Sequence, residues 1–376
     1  MYFSLNSVWN KSTNLNHRNF KKLHSFFWLF TLDLKSSKKI TQSVILQWIE
    51  NNVNYNNYNW EINVLSKRII AWISASKLTY EDSSDEYKNK FNLIIQKQIN
   101  HLINEIEKSK FIDDKMIGCA AIILTGLSLN EKEKYLNFGL NILKKIINFS
   151  FDNQNFPKSR SIRQLIFYLK YFVLIREWLK ESQSEIPQYL DEIIFYIGKS
   201  YSILCQGKSK AILFNGNHET NNKNFDNYLN NYGYKFNNNS IEAGGYIYLK
   251  NKKISLIMDI GSSPEKKFSK NYQCGALSFE IIANNKKLIC NSGYFQKTKH
   301  KLNDISKTTA NHSTLIIDNH SSCKINKSKM EIESSLKILN KKLIIEKNYW
   351  KVSASHDGYN KRYGIIHERE IEFLSE

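Results

Sequence analysis

The stretch GALSFEIIANNKKLICNSGYF, residues 275–295, decides how the second half of the chain folds. Two runs rich in β-formers flank Asn284-Asn285, and an asparagine pair between such runs supplies the positive φ values of a two-residue hairpin turn. The second run finishes on Asn291-Ser292-Gly293, a further turn signal. Runs of the same kind lie to either side, in GGYIYLKNKKISLIMDIG (244–261), STLIIDNHSS (313–322) and SLKILNKKLIIEKNYWKVSASHDGY (335–359). Together they predict an antiparallel β domain. Glycine usage agrees, with 5 of 14 before residue 208 and 9 after it, because tight turns need positive φ.

Before CQGKSK (205–210) the period is helical. In SIRQLIFYLKYFVLIREWL (161–179), Ile162, Leu165, Ile166, Leu169, Phe172 and Val173 share one face at i, i+3, i+4 spacing. YLNFGLNILKKIINF (135–149) aligns Leu136, Leu140, Leu143 and Ile147, and KMIGCAAIILTGLSL (115–129) is apolar nearly all round, as a helix buried between neighbours is. The change of period sets an expected boundary, with a helical domain over 1–208 and a β domain over 209–376. No internal repeat of fixed period is present.

Lys and Arg number 54 against 35 Asp and Glu, a net charge of +19 that would attract an acidic polysaccharide, a nucleic acid or an anionic surface. No zinc-finger, RRM or helix-turn-helix string accompanies the charge, so no nucleic-acid partner is expected. Heavy Lys, Asn and Ile usage of an AT-rich genome would give the same charge without any ligand. Five widely spaced cysteines without a C-x-x-C pair predict no disulfide framework. The longest apolar stretch, near Ile117 to Leu129, is too short to span a bilayer, and the first residues lack an apolar signal-peptide core. The sequence does not set an oligomeric state.

The order of the halves, with several local strings, resembles the heparinase II/III family of polysaccharide lyases. The most specific strings are EAGGYIYLKNKKISLIMDIGSSP (242–264), GALSFEIIANNKKLICNSGYF, TTANHSTLIIDNHSSCKI (308–325) and SASHDGYNKRYGIIHERE (353–370); NWEINVLSKRIIAWI (59–73) and residues 151–179 resemble the helical part. The resemblance implies an α/α toroid followed by an antiparallel β-sandwich. It implies further strands after HEREIEFLSE (367–376), so the sandwich is expected to be incomplete at residue 376. It also implies β-elimination on a uronate-containing glycan in a cleft between the two halves, and a place in the cell envelope or periplasm, although no export signal is visible.

Such chemistry needs a neutralised uronate carboxylate, a base for the C5 proton and an acid for the departing O4. On the family pattern the candidate catalytic residues are His312, Tyr359 and His356, and the substrate-binding candidates are Gln273, Arg160, Arg163, Asn155 and Asn291. Each has a plainer alternative. His312 could simply donate to a backbone carbonyl, His356 and Tyr359 could pack a turn made by Asp357 and Gly358, and Lys158, Arg160 and Arg163 could be a solvated helix start. Many members of the family bind zinc in the sandwich, but Gln273, Gly275 and Asn291 stand at the ligand-like positions beside His312, so neither metal nor cofactor is expected. The toroid tyrosine of the family falls near Gln164, with Tyr168 one turn further on. A member that binds acidic glycan without cleaving it is the alternative reading.

Overall fold

The computed structural model describes residues 9, 15–32, 37–129, 132–208, 210–219, 222–237, 239–251, 253–295, 300–326 and 328–374. The hairpin at Asn284-Asn285 is present. β4 (Phe279–Ala283) turns into β5 (Lys286–Ile289) with φ of 49° and 62° at the two asparagines, the double positive φ of a type I′ turn.

β1 (Glu242–Ala243), β2 (Tyr246–Lys250) and β3 (Ile254–Asp259) precede that hairpin, and the five strands form one antiparallel sheet in sequence order. A two-stranded ladder pairs β6 (Ile325–Asn326) with β7 (Glu331–Ile332). A third sheet places β9 (Tyr349–His356) between β8 (Ile338–Ile345) and β10 (His367–Leu374). Ile247 and Leu249 of β2 and Leu256 and Met258 of β3 pack with Trp350, Val352 and Ala354 of β9. That shared core makes the two larger sheets a sandwich.

One expected strand is not a strand. Residues 313–322 form a loop with only an isolated bridge between Ile317 and His320. The reason is local competition for backbone and side-chain partners: the Leu315 carbonyl accepts from Tyr359 Oη, the Ser313 carbonyl from Arg369, and Thr314 Oγ1 donates to the Ala276 carbonyl. Asp318 and Asn319, at φ of 46° and 57°, then reverse the chain.

The helical part contains the expected buried helix, Ile112–Ser128, in which every residue from Met116 to Gly126 is buried. Its neighbour, Lys132–Ser150, approaches at backbone distance. A Cβ on Gly126 would lie 2.6 Å from the Leu136 nitrogen and one on Gly139 2.6 Å from Ile123 Cγ1, so only glycine allows this crossing. Helix Asp85–Glu105 starts at Ser84, whose Oγ accepts from Tyr87 N, and carries Asp85 and Glu86 in its first turn, where acids favour the helix dipole.

Helices give way to strands between Leu204, where Gln188–Leu204 ends, and Glu242, with one short helix, Lys223–Asn231, in between. The compact units divide the chain otherwise, into Met1–Phe149 with Val173–Ile186, and Ser150–Phe172 with Pro187–Glu376. The second unit takes in residues 150–172 because Arg160 is built into the ends of β2 and β3. It takes in Gln188–Leu204 because the Phe236 ring fills the space where Gly198 would carry a Cβ. Among the described residues no helix is long and apolar enough to cross a membrane.

Candidate functional site

Most of the candidate side chains lie in the strand-rich unit, and their hydrogen bonds sort them. Arg160, at φ +55°, turns inward and donates to the carbonyls of Gly244 (3.1 Å), Gly245 (3.1 Å), Gly261 (2.9 Å) and Ser262 (3.1 Å) and to Asp259 Oδ1 (2.6 Å). The Tyr246 ring lies beneath it, and the Tyr246 hydroxyl donates to the Arg160 carbonyl. Burial works against the guanidinium charge, and Asp259 more than offsets this, holding the group above its usual pKa. A guanidinium has five N–H donors, and all five are engaged. Arg160 therefore joins residues 150–160 to the sheet and has no donor left for a sugar carboxylate. The glycines around it are required, since a Cβ on Gly261 would lie 2.4 Å from Arg160 Cζ.

Gln273 is equally engaged. Its Oε1 accepts from Gly216 N (3.1 Å), and its Nε2 donates to the carbonyls of Gly293 (3.1 Å) and Ser306 (2.6 Å). Asn155, also at positive φ, closes the turn between Phe151 and Pro157 by donating its backbone N–H to the Asp152 carbonyl. Lys158, Arg160 and Arg163 do not act together. Arg160 points inward, Lys158 approaches the Phe268 ring, and Arg163 is half-buried near His218, whose pKa falls through burial and that positive charge. Gln164 accepts from Ser159 Oγ, and buried Tyr168 donates to Ser150 Oγ.

His312 follows a 3-10 turn, Thr309–Asn311, and its ring lies near the Ser306 backbone, whose carbonyl holds Gln273. Burial lowers its pKa to about 4, so the ring is neutral at neutral pH. Its Nε2 has no hydrogen-bond partner among the described residues. Asn291 lies alongside: its Oδ1 accepts from Ser313 N, next to His312, and its Nδ2 also has no partner. Ser278 Oγ, again without a partner, and the His312 ring flank the space above Gly275, 3.1 and 3.0 Å from where its Cβ would be.

The same residues do not fit zinc. The Gln273 amide is engaged at both atoms, Gly275 has no side chain, and Asn291 Oδ1 is taken by Ser313. One imidazole remains.

His356 and His367 face each other across β9 and β10, with Nε2 and Nδ1 3.0 Å apart. Gly358 N donates to His356 Nδ1, which puts the His356 proton on Nε2 and makes it the donor to His367. Burial and mutual repulsion lower the pKa of His356 to about 4; burial and Arg369 do the same for His367. Both rings are neutral and serve the turn that leads into Tyr359. The Tyr359 hydroxyl donates to the Leu315 carbonyl (2.8 Å), and burial raises its pKa to about 12. Tyr359 also walls a cavity of about 1000 Å³, with His320, Tyr363, Lys361 and Arg362. Sequence reasoning did not single out His320 and Tyr363, which bond through Nδ1 and Oη at 2.9 Å. The signal was their place on either side of residues already noted, in IDNHSS and GYNKRYG.

Residues 235–376 match the family described as Heparinase II/III-like, C-terminal. The strand-rich region thus resembles a heparinase II/III-like C-terminal domain. Solved structures agree on the fold of the longer chain. A heparan sulfate lyase HepC mutant from Pedobacter heparinus superposes with a TM-score of 0.72 at 13% identity, over 96% of this chain and 61% of that one. A heparinase III gives 0.70 at 16%, over 94% and 60%, and a further heparinase III with methylated lysines 0.69 at 15%, over 96% and 62%. The chain thus spans about three fifths of the length of the structures it matches. Comparison with curated proteins found no match in sequence. In the matched region, His312 and Asn291 are the candidates with a buried side-chain atom that has no hydrogen-bond partner among the described residues.

Proposed function

We propose that this protein acts on an acidic, uronate-containing polysaccharide as a lyase, with His312 as the base. The supporting observation is the neutral, buried His312 ring, whose Nε2 has no partner among the described residues, as Asn291 Nδ2 has none. In this reading Asn291 Nδ2 donates to the sugar carboxylate and His312 Nε2 removes the C5 proton. The C4–O4 bond then breaks, a C4–C5 double bond forms, and O4 leaves with a proton from solvent. Both side chains are buried, His312 at 9% exposure and Asn291 at 1%. The test is the ultraviolet absorbance of unsaturated product on a panel of uronate polymers. His312→Gln is expected to lower kcat/KM at least tenfold, about 1.4 kcal/mol, with the fold intact.

A second reading, binding of acidic glycan without cleavage, is favoured by the full engagement of Arg160 and Gln273 and by the Tyr359 hydroxyl donating to the backbone. Polymer binding with no absorbance change would select it.

A further inference from the structure

Two cysteines far apart in sequence meet at the wall of the largest cavity of the strand-rich unit. Cys274 and Cys323 are 49 positions apart, both are free thiols, and both belong to one buried cluster with Tyr272, Ala276, Ile332 and Leu336. The Cys274 Sγ donates to the Cys323 carbonyl at 3.5 Å. The backbones that carry them are already fastened together. The Cys274 N–H donates to the Lys307 carbonyl (3.0 Å), and the Cys274 carbonyl accepts from Thr309 Oγ1 (2.6 Å) and Ser322 Oγ (3.3 Å). Ser322 N, one residue before Cys323, donates to Thr309 Oγ1 (2.9 Å). A disulfide forms only where the backbones hold two sulfurs within reach, and these bonds do so here. Cys119, Cys205 and Cys290 are not in this cluster.

Access and acidity set the order of events. Cys274 has no exposed surface, whereas Cys323 is 3% exposed and lines the cavity of about 1000 Å³ beside Ser322, Lys324 and Tyr359. A small disulfide molecule entering that cavity meets Cys323 first. The neighbouring Cys274 thiol, and after it burial, holds the Cys323 thiol well above its usual pKa. Only a thiolate attacks, so exchange here is slow at neutral pH. A pair kept protonated in this way suits a lasting cross-link better than repeated exchange.

We propose that Cys274 and Cys323 are a modification site, forming a disulfide with each other when a small-molecule disulfide enters the cavity. The Cys323 thiolate attacks one sulfur of that molecule, giving a mixed disulfide and releasing one thiol. The Cys274 thiolate then attacks Cys323 Sγ, forming the internal S–S bond and releasing the second thiol. The cysteines lose two electrons and two protons, and the small disulfide takes them up. The bond closes a loop of 49 residues and ties Cys274, between Gln273 and Gly275, to the cavity wall. It thereby fixes the backbone at Gly275, against which the His312 ring lies. The proposal stands apart from the lyase reading.

The test uses the full chain, purified reduced and incubated with oxidised glutathione at about pH 8.5, where thiols ionise. Exposed Cys290 is the internal reporter, and the oxidant is raised until its glutathione adduct is complete. Mass mapping of an unreduced digest is expected to join the peptides of Cys274 and Cys323, with two hydrogens lost and no glutathione kept on either. The Tm should rise by at least about 4 °C, fall back on reduction, and stay unchanged in Cys323→Ala. Cys323→Ser is made as well, so that one folded control is enough. Free thiols at Cys274 and Cys323 after full modification of Cys290 overturn the proposal. So do a glutathione adduct that stays on Cys323, a cross-link of either cysteine to another partner, and a cross-link that lowers the Tm.

Discussion

The two buried arginines of this chain are opposites. Arg160 has a carboxylate at 2.6 Å and four backbone carbonyls, whereas Arg68 has two carbonyls, an amide oxygen and a tryptophan face. Their pKa values part accordingly, with Arg160 above its usual range and Arg68 lowered by burial to about 9. Depth alone does not separate the two; the carboxylate partner and the count of unmet donors do.

The sharpest way to break this contrast is to remove one partner from each. Asp259→Ala leaves Arg160 charged and unpaired and is expected to cost about 3–5 kcal/mol, read from the denaturant midpoint. Arg68→Met leaves no carboxylate behind and should cost less, within about 2 kcal/mol. Equal costs would show that the carboxylate is not what separates the two sites.

Acid provides the next largest effect. His24, His312, His356 and His367 all have pKa values lowered to about 4 by burial, against about 6.5 unfolded. Below pH 6.5 the unfolded chain binds protons that the folded chain refuses, so stability falls as pH drops from about 6.5 to 4, by up to about 1.4 kcal/mol per pH unit for each ring. Three of the four lie in the strand-rich unit. Replacing His356 and His367 together by Gln should flatten the acid limb of a stability–pH curve more than His24→Gln does. The smallest effect is expected at Asn285→Ala, where a φ of 62° is lost to a residue that disfavours it, at about 1 kcal/mol.

What could be read in advance was what is local. The Asn284-Asn285 hairpin and the apolar helix Ile112–Ser128 follow from neighbouring residues, and both are present. Arg160 looked like part of a basic cluster with Lys158 and Arg163 because its partners lie 84 to 102 positions further along the chain. No local pattern reports such contacts. STLIIDNHSS has strand composition, yet Tyr359 and Arg369 engage the Leu315 and Ser313 carbonyls that a ladder would use. Arg68 did leave a trace. It stands four residues after Val64, three after Leu65 and four before Trp72, which puts a charge on the buried face of NWEINVLSKRIIAWI. His312 and Asn291 were found through the resemblance, but the unpartnered nitrogens that distinguish them belong to the folded chain alone.

The Arg160–Asp259 link also bears on how the chain is made. Its partners are 99 residues apart, so a ribosome adding about 5–20 residues per second exposes Arg160 roughly 5–20 s before Asp259 exists. During that interval residues 150–160 have no sheet to join, and the guanidinium stays hydrated. The Arg160–Asp259 link can therefore close only once β3 has been made, and the older segment joins the sheet through a long-range contact of the kind that slows folding.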